Sequence, residues 1–425
     1  MVVRTFFNPL LLILCLAFAV RIGLSWHPGY GFDIGVYQGW ARSAVELGMA
    51  ESYLTQVGGN MTPDYPPLSI MMLTGFGHVY KLLFHEFDLS SVTFRMYIKL
   101  PAMFTDVLIC TLLYFLCKRW KNSTRIGLLA ALAYALNPAA IYDSAIWGQT
   151  DCIYSFFLLA AVAAWSYEKK DLSAVMLACS ILTKMQGIVL YPLFALLVLR
   201  TSPKELLRFC IVGITTVIVV MLPFAMGNVL ESIADVYFGA VGRYGNVTVG
   251  AYNFWWSLLA DRGWQIESSV SPFGYLRYSH IGFLVFGLVY ALILWIFHKA
   301  LVRSEKTDAL FYCSALVTAA FFLFLPQMHE RYLFPFVVLG TPLIFMGRNI
   351  AIAYWIMVIA FTMNLMGVSP LTFIDKALYR EFDSLDVFVA TTQVWMFIYL
   401  VITAYVRYAP RAAWNAGRRA LLSSR

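Results

Sequence analysis

Charge is scarce in this sequence. Only 13% of its 425 residues are Asp, Glu, Lys or Arg, and 61% are hydrophobic, where soluble globular chains carry roughly 25% and 45–50%. A soluble enzyme is excluded on that ground. Sustained charge runs, Gly-X-Y periods and heptads are also missing, which removes disordered, collagenous and coiled-coil readings. The seven cysteines (Cys15, Cys110, Cys117, Cys152, Cys179, Cys210 and Cys313) are odd in number, lie in apolar runs and form no C-x-x-C. They read as small buried hydrophobes, with neither a disulfide framework nor a zinc site. P-loop, Rossmann, H-E-x-x-H and G-x-S-x-G patterns are absent, as is a KDEL-like or prenylation ending. What is abundant is aromatic: 25 Tyr and 12 Trp, the material of interfacial belts. The class that remains is an all-α polytopic membrane protein.

A helix needs about 20 apolar residues to cross the hydrocarbon core. Apolar runs predict spans at 5–25, 93–117, 126–141, 150–167, 171–183, 187–200, 206–226, 279–298, 309–326, 331–347, 350–368 and 388–407. Segment 68–84 is apolar but short, with Gly75, Gly77, His78 and Lys81 inside it. The positive-inside rule decides its place. With 68–84 on the outer surface, the run Lys118–Arg125, Lys169/Lys170, Arg200/Lys204/Arg208, Lys299/Arg303/Lys306, Arg348, Arg4 and the tail (Arg407, Arg411, Arg418, Arg419, Arg425) all face inward. The inside then holds 19 of the 31 basic and 5 of the 23 acidic residues, net +14. The outside is left at net −6, and the two sum to the chain's +8. The basic balance is therefore a topology signal against anionic lipid, with no nucleic acid implied. The expectation is one integral membrane unit, 1–425, of about 12 spans with both termini inside. Residues 1–226 form a first module whose external loop, 26–92, contains an amphipathic helix (34–50). A second external loop covers 227–278, and 279–425 supplies variable C-terminal helices.

This topology gathers the unusual polar motifs on the outer face. They are Gly31-Phe32-Asp33-Ile34-Gly35, Asp64-Tyr65-Pro66-Pro67-Leu68-Ser69, Asn137-Pro138 with Trp147-Gly148-Gln149-Thr150-Asp151, Lys184-Met185-Gln186-Gly187, Tyr252-Asn253-Phe254-Trp255-Trp256 and Pro326-Gln327-Met328-His329-Glu330-Arg331-Tyr332. Each has a plain reading beside a functional one. Asp33 is a solvated carboxylate at a span end, or a general base desolvated by the aromatics around it. Asp64 starts a turn forced extended by two prolines, and Asp151 is an ordinary partner of a helix N-terminus. Lys184 and Gln186 interrupt apolar sequence, where a cation must find an anion or water. His329-Glu330-Arg331 puts three ionisable groups at a span end. A histidine with an arginine suits a phosphate, and a local Glu–Arg pair is the alternative. In the second span Arg95, Lys99 and Asp106 share a helical face; Lys99 is read as snorkelling and Asp106 as half of a buried structural pair. Asp33, Asp64, Asp151, His329 and Glu330 are oxygen-rich enough for Mg or Mn, but no ligand spacing supports a metal, and no cofactor is expected.

Taken in order, these motifs resemble the GT-C glycosyltransferases, multi-spanning enzymes that use polyprenyl-phosphate-linked sugars. The D-Y-P-P-L segment resembles that of the dolichyl-phosphate-glucose-dependent glucosyltransferases. The W-G-Q-T-D, Y-N-F-W-W and M-H-E-R-Y-L-F-P segments look like bacterial relatives of the GPI-anchor mannosyltransferases. The resemblance covers most of residues 1–340. It implies a GT-C-like bundle with a long first external loop, a catalytic Asp33 there, and His329 near the donor phosphate. It also implies that the first span is retained, although Arg4 followed by apolar residues through Ala17-Phe18-Ala19 would also suit a signal peptide.

The implied reaction moves a sugar, mannose by the GPI-type resemblance, from a polyprenyl-phosphate donor to a hydroxyl on a lipid, glycan or protein acceptor, with inversion. Asp33 is the base. His329, Arg331 and Lys184 hold the donor phosphate. Asp64, Tyr65, Gln149, Asp151, Gln186, Tyr252, Asn253, Trp255 and Glu330, with Trp256 nearby, are the expected substrate contacts. The expected location is a bacterial plasma membrane with the site facing outward; the sequons at Asn60 and Asn246 would matter in an ER protein. A polyprenyl-lipid or glycolipid flippase is the non-enzymatic alternative. A membrane acyl- or phosphoethanolamine transferase would want a His-Asp dyad or a metal-bound Thr, and neither is visible.

Overall fold

The computed structural model describes residues 8–58, 61–240, 242–302, 306–369 and 384–409. Arg4, Asn60, Arg303 and the tail arginines Arg411, Arg418, Arg419 and Arg425 lie outside the described residues. Helix α1 (Pro9–Leu24) starts where Asn8 caps its first turn and Pro9 takes the first helical position. A short link leads to α2 (Gly31–Glu46). Pro66-Pro67 then launches α3 (Pro67–Phe84), followed by α4 (Val92–Tyr97) and α5 (Leu100–Lys121). Ser123 caps α6 (Thr124–Ala135), and Asn137 caps α7 (Pro138–Ile141). From α7 the chain runs into a π-helical turn, Tyr142–Trp147, stopped by Gly148 at φ +89°.

Next come α8 (Asp151–Ser166) and α9 (Lys170–Thr183), a 3-10 turn (Met185–Leu190) and α10 (Tyr191–Val198). A Ser202/Glu205 capping box opens α11 (Pro203–Met226). The second long loop carries α12 (Leu230–Phe238), β1 (Thr248–Val249), α13 (Phe254–Leu259) and α14 (Arg262–Gln265). The last described elements are α15 (Tyr278–Val302), α16 (Lys306–Phe324), β2 (Met328–His329), α17 (Phe334–Gly340), α18 (Arg348–Val368) and α19 (Leu385–Tyr408).

Over the described residues, the twelve expected spans fall on helical segments, but they are unequal. Among the described residues, six helical stretches are long and apolar enough to cross a membrane: Val92–Lys121, Pro203–Met226, Tyr278–Val302, Thr307–Phe324, Arg348–Val368 and Leu385–Tyr408. Thr124–Ala135 with Pro138–Trp147 makes a seventh if counted as one span, bent by 47°. Helices α1, α8 and α9 have 16, 16 and 14 residues, shorter than a full crossing at about 1.5 Å per residue. Segment 68–84, realised as α3, is not among the candidate spans. It packs beside α2 in an apolar layer of its own with Tyr37, Trp40, Ile70, Leu73, Tyr80 and Phe94. Gly77 allows that approach, since a Cβ there would sit 2.8 Å from Val45 and 3.1 Å from the Ala41 carbonyl oxygen.

The bundle has two chemically different ends. At one, Trp120 and Arg407 both bond Asp308, Lys170 pairs with Glu205, and Arg200 meets His298. This end matches the basic side of the charge count. Helices α5, α8 and α16 run their full lengths from it to the other end, where Asp33, Asp151, Lys184 and His329 lie.

The interior contains a buried ion pair. Arg21 on α1 and Asp106 on α5 meet at 2.6 Å, both fully buried. Tyr134 and Ser144 donate their hydroxyls to the same carboxylate, each at 2.6 Å. Asp106 is half of a buried pair, as read from sequence, but its partner comes from α1. Lys99 does not snorkel: it is fully buried, because main-chain carbonyls surround its ammonium.

Candidate active site

Asp33 stands in the first turn of α2, half-buried. Its Oδ2 accepts from the Trp147 indole at 2.9 Å and from the Gln149 amide at 2.5 Å. Both donors come from the end of the π-helical turn, more than a hundred residues away in the chain. Gln149 is held in turn, its Oε1 accepting from the Tyr37 hydroxyl at 2.6 Å, and Tyr37 meets the Tyr65 hydroxyl at 3.2 Å. One carboxylate oxygen is thus fixed by a buried chain of donors. Oδ1 takes no hydrogen bond among the described residues and is free to accept one from a substrate hydroxyl.

The charged residues form the second half of the site. Lys184, between α9 and the 3-10 turn, bonds Asp151 at 2.6 Å and lies 5.0–5.6 Å from the ring centres of Tyr65, Tyr154 and Tyr332. Burial opposes its charge, but Asp151 holds the ammonium protonated, above its ordinary range. Arg331 pairs with Glu330 at 2.8 Å and its Nε lies 3.7 Å from Asp151. It also stands within electrostatic reach of Asp33, which joins the two halves.

Burial, then the Arg331 charge, keep the His329 imidazole below its ordinary pKa. Burial works the other way on Glu330, yet Arg331 and the adjacent His329 hold its carboxyl down at about 2. His329 Nε2 and Arg331 Nε are buried with no hydrogen-bond partner in the structure. Buried donors of this kind call for a partner, and a polar ligand at this place would supply one.

The second long loop closes over this cluster. Arg243 reaches Asp64 at 2.8 Å, Tyr244 stacks edge-on against His329 at 4.4 Å, and β1 pairs in parallel with β2. Burial raises the Asp64 pKa, with Arg243 offsetting part of the rise.

The structure therefore brings together Asp33, Asp64, Tyr65, Gln149, Asp151, Lys184, His329, Glu330 and Arg331. Gln149 differs from expectation: its amide is engaged with Asp33 and Tyr37 rather than left free for sugar hydroxyls. Asp151 bonds Lys184 through Oδ1, while its Oδ2 takes no hydrogen bond and lies 3.7 Å from Arg331 Nε. Gln186 is half-buried in its 3-10 turn and bonds nothing through its side chain among the described residues.

The Tyr252–Trp256 segment lies elsewhere. Asn253 caps α13 and donates to the Phe322 carbonyl, and the Trp255 indole donates to the Phe324 carbonyl. Tyr252 packs on Trp256 against α18 and α19. These side chains serve the core because α13 turns into the bundle, a fold-level fact that aromatic composition does not reveal. Among the described residues no three of His, Cys, Asp and Glu converge as a metal-ligand set.

Three residues of the site carried no expected role. Tyr37 lies one turn after Asp33 on α2, so helical spacing could have found it. Trp147 belongs to a quoted motif, but its bond to Asp33 follows only from the fold. Arg243, in the glycine-rich stretch Gly239-Ala240-Val241-Gly242-Arg243-Tyr244-Gly245, carries no local signal. Asp143, in the π-helical turn, is fully buried with neither carboxylate oxygen hydrogen-bonded in the structure.

The model of the GPI transamidase subunit PIG-U family matches residues 64–261, a little under half of the chain. No curated protein matches it in sequence. Among solved structures, ArnT from Cupriavidus metallidurans, bound to undecaprenyl phosphate, is similar. The TM-score is 0.51 at 14% identity, over 93% of this chain and 77% of that one. At that identity the likeness shows the fold: a polytopic, GT-C-like helical bundle.

Proposed function

We propose that the chain is a glycosyltransferase that moves a sugar from a polyprenyl-phosphate donor to a hydroxyl acceptor, with inversion at the anomeric carbon. One observation carries this reading. A carboxylate fixed through one oxygen and free at the other lies within electrostatic reach of Arg331, whose Nε is buried without a hydrogen-bond partner, as is the neighbouring His329 Nε2. In this mechanism Asp33 Oδ1 takes the proton of the acceptor hydroxyl as its oxygen attacks the anomeric carbon. The bond from that carbon to the phosphate oxygen breaks, and polyprenyl phosphate leaves with the electron pair. Charge grows on the leaving phosphate, where Arg331 and His329 donate and Lys184 contributes its field.

The undecaprenyl phosphate bound to the similar ArnT fold supports a polyprenyl-phosphate partner. Mannose as the sugar, and a bacterial plasma membrane with the site outward, belong to the same proposal and rest on the sequence resemblance. The site would then sit at the outer boundary, opposite the basic end. A second reading draws on the PIG-U match and on the pairing of Lys184 and Arg331 with acids. It is a polyprenyl-lipid or glycolipid carrier, or an assembly subunit, that binds such a lipid without turnover.

Purified protein in nanodiscs, given a panel of labelled polyprenyl-phosphate sugars and a membrane extract as acceptor, separates the two. Wild type should move label from one donor, and Asp33→Asn should slow transfer by about 10²–10⁴-fold while remaining folded, the usual worth of a general base. Donor binding without turnover, unchanged by the substitution, would favour the carrier.

A further inference from the structure

Lys99, at the head of α5, is fully buried and has no carboxylate partner among the described residues. Its Nζ instead lies 3.2, 2.8, 2.9 and 3.0 Å from the carbonyl oxygens of Ser25, His27, Ala145 and Ile146. Three N–H donors therefore serve four acceptors, one of them shared. The four carbonyls come in two pairs. Ser25 and His27 close the C-terminal end of α1 and lead directly into α2, which bears Asp33. Ala145 and Ile146 lie at the C-terminal end of the π-helical turn, which delivers Trp147 and Gln149. Both are helix ends with carbonyls left over and a partial negative charge, so a cation between them is matched without an acid.

The surrounding contacts fit a clamp at this seam. Tyr30 N donates to the Trp147 carbonyl at 3.2 Å. Gly148 has φ +89°, and a Cβ there would come within 2.4 Å of Ile34 and 3.0 Å of Lys99 Cε. Gly29 has φ +74°, and its Cβ would lie 2.4 Å from the Trp147 carbonyl oxygen. The two backbones touch, with the lysine stem beneath.

We infer that Lys99 is a positioning residue, whose ammonium clasps the link that carries Asp33 to the turn that carries Trp147 and Gln149 and thereby sets the geometry of the base. This rests on the reading of Asp33 given above. A misplacement of about 1 Å at a reacting group can lower a rate about a hundredfold, and Lys99 governs the distance between the base and both of its donors.

Lys99→Met keeps the stem and removes the donors; Lys99→Gln, which restores two, takes its place should the methionine variant not fold. Hydrogen exchange on folded protein is the readout that needs no substrate. Residues 25–30 and 142–149 should exchange faster together, and unchanged exchange in both overturns the clamp. In transfer assays kcat should fall about tenfold or more with the donor KM within about twofold. In the Asp33→Asn background the same change should slow transfer by less than about twofold, because residues that act as one unit are non-additive. A further tenfold loss there would make the role structural and overturn the inference. A wild type without transfer, or an Asp33→Asn variant with full activity, would instead overturn the reading of Asp33, leaving the exchange result to judge the clamp.

Discussion

Gln149 donates its side-chain amide to the Asp33 carboxylate across 116 residues of chain. In doing so it joins the first turn of α2 to the break that follows the π-helical turn. With Trp147 bonding the same oxygen, the pair defines which face of the carboxylate is left for substrate.

Trp147→Phe should keep the ring packing and remove one of these two bonds. A hydrogen bond to a charged group is worth about 1.5–3 kcal/mol, so kcat should fall by about ten- to a hundredfold with the fold intact. Gln149→Leu should do the same. A variant with wild-type kcat and a melting temperature close to wild type would remove that residue from the support of Asp33.

His329 is held below its ordinary pKa by burial and Arg331, so it is neutral at pH 7 in the free protein. A donor phosphodiester stays anionic across this range, and placed beside the imidazole it raises that pKa. Binding then takes up a proton, and donor affinity should rise as pH falls from about 8 to 6. Titration calorimetry of donor binding in two buffers of different ionisation enthalpy measures that uptake. A His329→Gln variant with the same pH dependence would place the phosphate elsewhere.

The lowered His329 pKa also sets the sign for stability. Between the folded and unfolded values the unfolded chain binds more protons, so this group's contribution to stability should fall as pH drops through about 6.5. Denaturant unfolding at pH 5.5 and 7.5 should show a smaller difference in His329→Gln than in wild type.

Arg21 and Asp106 are both fully buried. Removing one partner of such a pair leaves a charge uncompensated and destabilises by about 3–5 kcal/mol. Arg21→Met should therefore unfold at markedly lower denaturant in detergent, and Arg21→Met with Asp106→Leu should recover part of the loss. A single substitution that cost under about 1 kcal/mol would show that the pair does not hold the interior.

The Asp64–Arg243 contact is different, because the two side chains keep 21% and 36% of their exposure. Partly exposed pairs are worth up to about 1 kcal/mol, so Arg243→Gln should change KM by about fivefold or less and leave kcat alone. A hundredfold loss of kcat would put Arg243 in the chemistry itself.

Hydropathy and charge sufficed to determine that the chain is a helical membrane bundle, where its long helices lie, and that most of its charged motifs share one end. Those properties are sums over many residues, and neither periodicity nor the positive-inside bias depends on which helix touches which. Asp33 and the His329-Glu330-Arg331 cluster could be singled out because ionisable groups at span ends are conspicuous in apolar sequence. The pairings were a different matter. Lys99 and Asp106 share a helical face, yet one is satisfied by carbonyls of two helix ends and the other by Arg21 of α1. Gln149 turned from a substrate contact into a support for Asp33, and Trp255 went into the core. Only the tertiary structure decided these, because a hydrogen bond needs two groups within about 3 Å, and chain folding alone sets which distant residues come that close.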